Sequence, residues 1–249
     1  MAAHTLAVIL ARAGSKGLAN KNGLMIAGKP IISYTIAEAK AAACVDAVCV
    51  TTDLPAAAEA AHIWGVFVVD RPAELATDTA TVDSAARHAV SAYERMHESV
   101  THAAILYANV PLRPPGVIDQ AVDFAISTGA DSVRSLRPVE KQHPDWLHRL
   151  EGGRMVQYRR NAIYRRQDLE PLYYHDGAVV VVTRAALFTV DVQDAHAFLG
   201  EDRRSILSEG GPTVDIDSAE DFFLAEAVLE KQRRDYPRAT MAKAGTVEA

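Results

Sequence analysis

The sequence has little that would place the protein in a membrane, on a nucleic acid or outside the cell. No stretch approaches the ~20 consecutive apolar residues of a membrane-spanning helix, and the first residues lack the basic start and apolar core of a signal peptide. The formal net charge of the 249 residues is −6, whereas general nucleic-acid binders carry a basic surface. We therefore expect a cytoplasmic protein that binds neither membranes nor nucleic acids.

Cysteine and closely spaced histidine are also scarce. The two cysteines, Cys44 and Cys49, stand among apolar residues and do not form a CxxC pair, which favours buried, reduced thiols. Such thiols fit a reducing compartment. The nine histidines include no HxH or HxxxH pair, so the sequence predicts no zinc site.

Short apolar runs alternate with helical segments over most of the chain. Strands are predicted at 6–10, 47–52, 66–69, 103–107, 132–136, 178–183 and 213–216, and helices at 30–43, 55–64, 82–96, 114–127 and 218–234. Intervening helices supply the crossovers that parallel strands need. We predict an α/β fold with a mainly parallel, Rossmann-like sheet and helices on both faces. Its ligand is expected beyond the carboxyl ends of the strands, where the loops after the first, third and fourth strands converge.

The segment 138–176 differs from its surroundings. Between Arg134 and Arg166 nine cations accompany three acids, with aromatic residues among them. We predict a main domain formed by 1–137 and 177–235, and an insertion at 138–176 that reaches over the site or a partner subunit. A solvated basic hairpin is the alternative. The last residues, 236–249, are expected to form a flexible tail.

A polar loop at 11–22 follows the first predicted strand. Its small residues would let backbone N–H groups turn towards an anion, and its three cations, Arg12, Lys16 and Lys21, would offset the charge of a polyphosphate. The dinucleotide motif GxGxxG is absent. Residues 23–29 match the start of a P-loop but continue with Pro30, which has no hydroxyl for Mg²⁺. Composition alone leaves an ordinary polar turn as the alternative.

Two aspartates near the other end of the chain stand one residue apart. On the predicted strand 213–216 and just after it, this spacing would set the carboxylates of Asp215 and Asp217 on one face. Paired hard oxygens suit Mg²⁺. The alternative is an acidic cluster that favours the N-terminus of the last helix, which Ser218 would cap together with Asp221.

The loop LARAGSKGLANKN, residues 10–22, resembles the signature loop of the CMP-sialic acid synthetases, the acylneuraminate cytidylyltransferases. Further matching segments follow in order and spacing at 51–53, 65–66, 71–76, 78–80, 111–113, 176–178 and 214–217. The resemblance covers nearly the whole chain and implies a nucleotidyltransferase that joins CMP from CTP to an acidic acceptor, a sialic-acid-like 2-keto sugar acid, and releases pyrophosphate. It also implies Mg²⁺ as cofactor and a homodimer in which 138–176 crosses to the other subunit.

The resemblance also assigns roles to individual residues. Arg12, Lys21 and Asp217 would be catalytic, and Asp215 and Asp217 would hold the metal. Within the nucleotide site, Asn22 and Arg71 would recognise cytosine. The full expected nucleotide-binding set is Leu10, Ala11, Arg12, Gly14, Ser15, Lys16, Lys21, Asn22, Arg71 and Ala80.

The acceptor half departs from the family pattern. The family commonly has glutamine where this chain has Tyr107, and often an arginine for the sugar carboxylate where this chain has Tyr174 and His175. Arg165, Arg166 or His175 could replace that arginine. The expected acceptor-binding residues are Tyr107, Asn109, Arg113, Arg165, Tyr174 and His175. The open alternatives are an eight-carbon sugar acid or a small phosphonate as acceptor, a non-catalytic nucleotide-binding relative, and a nucleotidyltransferase for another base.

Overall fold

The computed structural model describes residues 3–14, 18, 21–191 and 193–235. Ser15 and Lys16, which the sequence assigns to the nucleotide site, and the expected tail at 236–249 lie outside the described residues.

The predicted helices and six of the seven predicted strands occur, with bounds that shift by up to five residues. The strands are β1 (Thr5–Ala11), β2 (Met25–Ile26), β3 (Lys29–Pro30), β4 (Ala47–Thr52), β5 (Phe67–Asp70), β6 (His102–Tyr107), β7 (Ser132–Pro138), β8 (His148–Glu151), β9 (Arg154–Gln157), β10 (Tyr173–Thr183) and β11 (Arg203–Leu207). The α-helices are α1 (Ile31–Ala41), α2 (Pro55–Ile63), α3 (Val82–Glu94), α4 (Val117–Thr128), α5 (Arg184–Leu187) and α6 (Ala219–Asp235). Of these elements, β2, β3, β11 and α5 were not predicted. None of these helices has the length and apolar character needed to cross a membrane.

Within the described residues, a seven-stranded sheet has the order β11-β7-β10-β6-β1-β4-β5. The pairs β6–β1, β1–β4, β4–β5 and β11–β7 are parallel, whereas β10 runs antiparallel to both neighbours, β6 and β7. The chain between β7 and β10 forms the exposed β8–β9 hairpin instead of a crossover helix, so it re-enters the sheet in the opposite direction. The predicted mainly parallel sheet is confirmed.

Helices cover both faces of the sheet. On one face Ile36 of α1, Ala57 of α2 and Val122 of α4 pack with Ile9 of β1. On the other face Ala89 of α3 packs with strand residues such as Val8 and Ile105. Alternate residues of each strand therefore pack into the cores on opposite faces of the sheet, because successive side chains of a strand point to opposite sides. The predicted covering of both faces is confirmed.

The predicted strand at 213–216 is wrong. The segment forms only an isolated bridge between Val214 and Leu112, and Ile216 N donates to Asn109 O at 2.9 Å. Val214 and Ile216 are buried with α6 in a third apolar cluster, whereas Asp215 and Asp217 are exposed. Burial of alternate residues still sets both carboxylates on the outward side, although no strand ladder holds them there.

The α6 helix begins with the expected capping arrangement. Ser218 Oγ accepts from Asp221 N at 3.2 Å, and Asp221 Oδ2 accepts from Ser218 N at 2.9 Å. The two residues therefore satisfy each other's backbone donors. This cap holds the start of α6 directly after Asp217.

Candidate active site

A cleft of about 350 Å³ opens at the carboxyl edge of the sheet. The loops after β1, β5 and β6 meet there, as the fold class predicts. Its walls are formed by Leu10, Arg12, Lys21, Asn22, Arg71, Leu75, Ala80, Thr81, Val82, Ala85, Tyr107, Asn109 and Asp217.

The cleft brings the cationic loop beside Asp217, from the far end of the chain. Lys21 Nζ lies 2.5 Å from Asp217 Oδ1, and the lysine side chain is 14% exposed against 72% for the aspartate. Arg12 Nη2 lies 2.9 Å from Asp78 Oδ1. Both cations are therefore held at the cleft by carboxylates. An anionic ligand could exchange for these carboxylates without moving the lysine or the arginine far.

Asn22 presents an unpaired acceptor on the cleft wall. The residue is 4% exposed, and its Nδ2 donates to Arg12 O at 2.9 Å. Because a carbonyl oxygen can only accept, this bond fixes which side of the amide is nitrogen. Asn22 Oδ1 is then left buried without a protein hydrogen bond. A buried polar atom of this kind is costly unless a ligand or a water satisfies it.

Arg71 forms another part of the wall. It is 8% exposed, and its Nη2 donates to Thr51 O at 2.8 Å, which anchors one edge of the guanidinium to β4. Burial lowers the pKa of Arg71 to about 10, with Asp53 opposing the shift and Arg12 adding to it. The group therefore stays protonated near neutral pH and provides a fixed, partly desolvated cation.

The two aspartates interact strongly with each other. The pKa of Asp215 is raised to about 6, first by partial desolvation of its carboxyl and second by the charge of Asp217, while the charge of Lys21 opposes both. Asn109 Nδ2 donates a short hydrogen bond to Asp215 Oδ1 and a second bond to Ile216 O at 3.2 Å. Close like charges of this kind favour the arrival of a cation.

The donor set at this edge fits a magnesium ion that arrives with a polyphosphate. Mg²⁺ is held by one or two carboxylates and completes its shell with waters and substrate phosphate oxygens, and Asp215 and Asp217 supply two. No group of three or more His, Cys, Asp or Glu side chains suited to a metal occurs within the described ranges. The carboxylates considered for a metal at this edge are therefore Asp215 and Asp217 alone among the described residues, and their role as ligands stays a prediction.

The expected nucleotide-binding residues are distributed as follows. Those that line the cleft are Leu10, Arg12, Lys21, Asn22, Arg71 and Ala80. Ala11 is buried at the end of β1, and Gly14 has a φ of 70°, a left-handed conformation that suits glycine at the turn after the strand. The structure thus brings together six of the expected residues at one surface. Their roles stay predictions.

The expected acceptor-binding residues divide into two groups. Tyr107 and Asn109 line the cleft. Arg113 instead lies beneath it, with its guanidinium donating to Ala178 O at 2.7 Å, to Tyr107 O at 2.9 Å and to Val110 O at 2.5 Å. This burial argues against direct contact between Arg113 and an acceptor. The arginine instead braces the loop that follows β6.

The remaining acceptor candidates lie away from the cleft wall. Arg165 is exposed and binds Asp168, with Nε 2.8 Å from Oδ2, in the segment between β9 and β10. Tyr174 is about half exposed on β10. His175 is partly buried, and its Nδ1 donates to Ser135 O at 3.1 Å while its Nε2 is buried without a partner. Of these three, His175 alone has an unpaired buried atom.

Sequence reasoning missed one wall of the cleft. Thr81, Val82 and Ala85 line it from the start of α3, and Leu75 lines it from the turn that follows β5. Thr81 is the N-cap of that helix, and its Oγ1 accepts from Ser84 N at 3.4 Å. The predicted helix start at residue 82, directly after a matching family segment, was the available signal.

Comparison with known proteins identifies the family. A family model described as cytidylyltransferase matches residues 6–237. The chain belongs to the cytidylyltransferase family. This match and the similarity to an N-acylneuraminate cytidylyltransferase, given next, together confirm the resemblance to the CMP-sialic acid synthetases.

Several members of this family are similar in sequence. The chain is 38% identical over 180 residues to an N-acylneuraminate cytidylyltransferase of Streptococcus agalactiae, an alignment that covers 71% of this chain and 42% of that protein. It is 30% identical over 231 residues to a CMP-N,N'-diacetyllegionaminic acid synthase of Legionella pneumophila, with 90% of this chain and 96% of that protein covered. The chain thus spans less than half the length of the streptococcal relative but nearly all of the Legionella one.

Solved structures show the same fold at low sequence identity. CMP:2-keto-3-deoxy-manno-octonic acid synthetase complexed with CTP superposes with a TM-score of 0.69 at 16% identity, covering 92% of this chain and 100% of the other. A 4-diphosphocytidyl-2C-methyl-D-erythritol synthase superposes with a TM-score of 0.67 at 15% identity, over 92% and 99% of the two chains. The sheet architecture of this cytidylyltransferase-family chain is therefore shared well beyond recognisable sequence similarity.

Proposed function

We propose that this chain transfers CMP from CTP to an acidic acceptor, a sialic-acid-like 2-keto sugar acid, and releases pyrophosphate. The observation that carries the proposal is the contact between Lys21 and Asp217 inside one cleft, because it unites the two charged groups that a metal-bound triphosphate requires. The similarity to a CMP-N,N'-diacetyllegionaminic acid synthase over nearly its whole length supports a sugar acid as the acceptor.

Cytosine selection would rest on Asn22 and Arg71. Cytosine carries an amino group that donates a hydrogen bond, whereas uracil carries an accepting oxygen at the same position. Asn22 Oδ1 is an unpaired acceptor on the cleft wall, so it would be satisfied by cytosine and opposed by uracil. A site built to hydrogen-bond one partner rejects the other because its own buried group stays unpaired.

Transfer of the nucleotidyl group depends on positioning and on charge neutralisation. The acceptor hydroxyl attacks the α-phosphate in line, the bond to the leaving pyrophosphate breaks, and the hydroxyl proton passes to Asp217 or to water. Arg12 and Lys21 would place positive charge beside the phosphate oxygens. Asp215 and Asp217 would hold Mg²⁺, which when bound supplies further neutralisation of phosphate charge. We also propose that the protein is a homodimer and acts in the cytoplasm.

A small phosphonate is the second acceptor that we consider, because the acceptor side departs from the family at Tyr107 and at Tyr174–His175. A non-catalytic nucleotide-binding protein is the third possibility. Against that possibility stands the joint placement of Lys21, Asp215 and Asp217, which binding of a nucleotide base alone would not require.

The test is a pyrophosphate-release assay with CTP and Mg²⁺ across nine-carbon and eight-carbon sugar acids and small phosphonates. We expect turnover with a 2-keto sugar acid, and little with the same acceptor when UTP, ATP or GTP replaces CTP. Turnover with phosphonates alone would favour the second acceptor class. CTP binding without pyrophosphate release from any acceptor would favour the non-catalytic protein.

A further inference from the structure

Arg134 lies on β7, on the sheet face that carries Tyr107, a cleft residue expected to bind the acceptor. In the register of the sheet, Arg134 of β7 pairs with Val180 of β10, and Val180 pairs with Ile105 of β6. Paired residues share a face, and Tyr107 follows Ile105 by two positions on the same strand. The side chains of Arg134 and Tyr107 therefore rise from the same face of neighbouring parts of the sheet.

The Arg134 guanidinium is not satisfied by the protein. Its Nε is buried without a hydrogen bond, and among the described residues no carboxylate forms an ion pair with it. Burying an arginine donor without a partner is unfavourable. A partner from outside the chain would remove this cost.

The electrostatic surroundings of Arg134 connect it to the cleft. Burial raises the pKa of Tyr107, and Arg134 opposes this shift while Asp215 adds to it. Tyr107, which lines the cleft, is therefore close to both Arg134 and Asp215. Gly177 lies between Tyr107 and Asp215, since a Cβ placed on it would lie 3.6 Å from Asp215 Oδ2 and 3.9 Å from Tyr107 Cδ2.

His175 adds a second unpaired group beside the arginine. Its Nδ1 must carry the proton of the bond to Ser135 O, because that carbonyl can only accept. Burial lowers the pKa of His175 and Arg134 lowers it further, which favours the neutral ring. The buried Nε2 then presents a free lone pair suited to a hydroxyl donor.

We propose that Arg134 binds the carboxylate of the acidic acceptor, with His175 Nε2 accepting a hydroxyl of the same molecule. The planar guanidinium matches a carboxylate with two parallel hydrogen bonds. This subsite rests on the proposed function, and it replaces the arginine that the family often carries at the position of Tyr174 or His175.

The other nearby arginines already have protein partners. Arg113 is bound to backbone carbonyls beneath the cleft, and Arg137 Nη1 donates to Gly211 O at 3.2 Å. Arg165 is paired with Asp168, and Arg166 Nη1 lies 3.8 Å from Glu140 Oε1. Among the described arginines of this region, Arg134 therefore differs in having a buried Nε without a hydrogen bond and no ion pair.

The experiment compares Arg134→Gln and Arg134→Lys with wild type and with Arg204→Gln, which removes an exposed cation from the adjacent strand β11. The readouts are kcat and KM for the acceptor at saturating CTP, CTP affinity by calorimetry, and Tm. We expect Arg134→Gln to raise acceptor KM roughly 10- to 100-fold, with CTP affinity within about twofold of wild type. Arg134→Lys should recover part of the loss, and Arg204→Gln should match wild type.

A second acceptor in which a carboxamide replaces the carboxylate separates recognition from folding. For wild type, acceptor KM should rise on this analogue by about the same factor as Arg134→Gln raises it for the acid. The Arg134→Gln variant should have nearly the same KM for both acceptors. An unchanged acceptor KM in an active Arg134→Gln variant would overturn the inference and make Arg134 a solvated cation. Equal losses of CTP affinity, Tm and acceptor binding would show a structural role instead. Absence of turnover by wild type with every sugar acid would overturn the proposed function and this subsite with it.

Discussion

The nucleotide side and the acceptor side of the cleft are built differently. On the nucleotide side Asn22 and Arg71 each use one edge to bind the backbone and leave the other for a ligand. On the acceptor side His175 has one hydrogen bond of this kind, whereas Arg134 has none with the residues that the structure describes. Asn22, Arg71 and His175 are thus oriented by the protein before any ligand arrives, whereas Arg134 depends on its substrate for a partner. This contrast parallels the sequence, where the nucleotide half follows the family more closely.

Removal of the Lys21 ammonium should have the largest effect on catalysis, because this group lies on the nucleotide side, where negative charge develops on the phosphate oxygens. We expect Lys21→Ala to lower kcat/KM roughly 100- to 1,000-fold or more, measured by pyrophosphate release. Lys29→Ala, which removes an exposed cation nearby on β3, is the matched control and should behave as wild type. Near-normal turnover by folded Lys21→Ala would remove the lysine from the mechanism.

Truncation of Asn22 should affect base selection more than chemistry. Asn22→Ala removes the unpaired Oδ1, so we expect the preference for CTP over UTP to fall about tenfold or more, measured as the ratio of their kcat/KM values. Acceptor KM should stay near wild type, since the change lies on the nucleotide side. If both nucleotides weakened equally, Asn22 would be a structural residue of the loop.

Substitution of Asp176 should have a smaller effect, on the stability of the fold. The side chain of this residue anchors the acceptor side of the cleft. Its Oδ1 accepts from Ser135 Oγ at 2.6 Å and its Oδ2 from Thr213 Oγ1 at 2.7 Å, so it ties β7 and β10 to the segment of the aspartate pair. Burial alone would raise the pKa of Asp176, but the hydrogen bonds from Ser135 and Thr213 outweigh it and the pKa is lowered. A carboxyl whose folded pKa is lowered stabilises the fold above its unfolded pKa and loses that contribution as pH falls through the folded pKa.

Asp176→Asn should therefore lower the free energy of unfolding by about 1–2 kcal/mol at neutral pH, with the deficit shrinking as the pH falls below about 4. Urea unfolding of both proteins at several pH values measures this difference. A deficit that stays constant from neutral to acidic pH would show that packing, and not the carboxylate, accounts for it.

Much of this architecture follows from local sequence patterns. Apolar runs bounded by helix signals predict the sheet and the edge at which the cleft opens, because buried parallel strands and their crossovers are encoded nearby in the chain. The meeting of Lys21 with Asp217 was predicted from the family resemblance and not from periodicity. Local pattern also predicted the Ser218–Asp221 cap, since both partners belong to the same turn.

Other features depend on contacts between distant parts of the chain. The segment around Asp215 alternates like a strand, but its single bridge to Leu112 depends on how the loop after β6 lies. Arg113 matched a family motif, and only the folded loop shows that its donors bind backbone carbonyls. In the sequence Arg134 is only one cation of a basic segment. The register of the sheet shows that it shares a face with Tyr107. Charge counts cannot distinguish a paired arginine from an unpaired one.

Thermal unfolding with CTP, UTP, ATP and GTP, each with and without Mg²⁺, tests the central claim most directly, because a ligand that binds only the folded chain raises its stability. We expect CTP to raise the Tm most, Mg²⁺ to increase this shift, and Lys21→Ala and Asp217→Asn each to remove most of it. Equal shifts with all four nucleotides, or a CTP shift that survives both substitutions, would contradict the claim that the loop after β1 and the aspartate pair bind the nucleotide together.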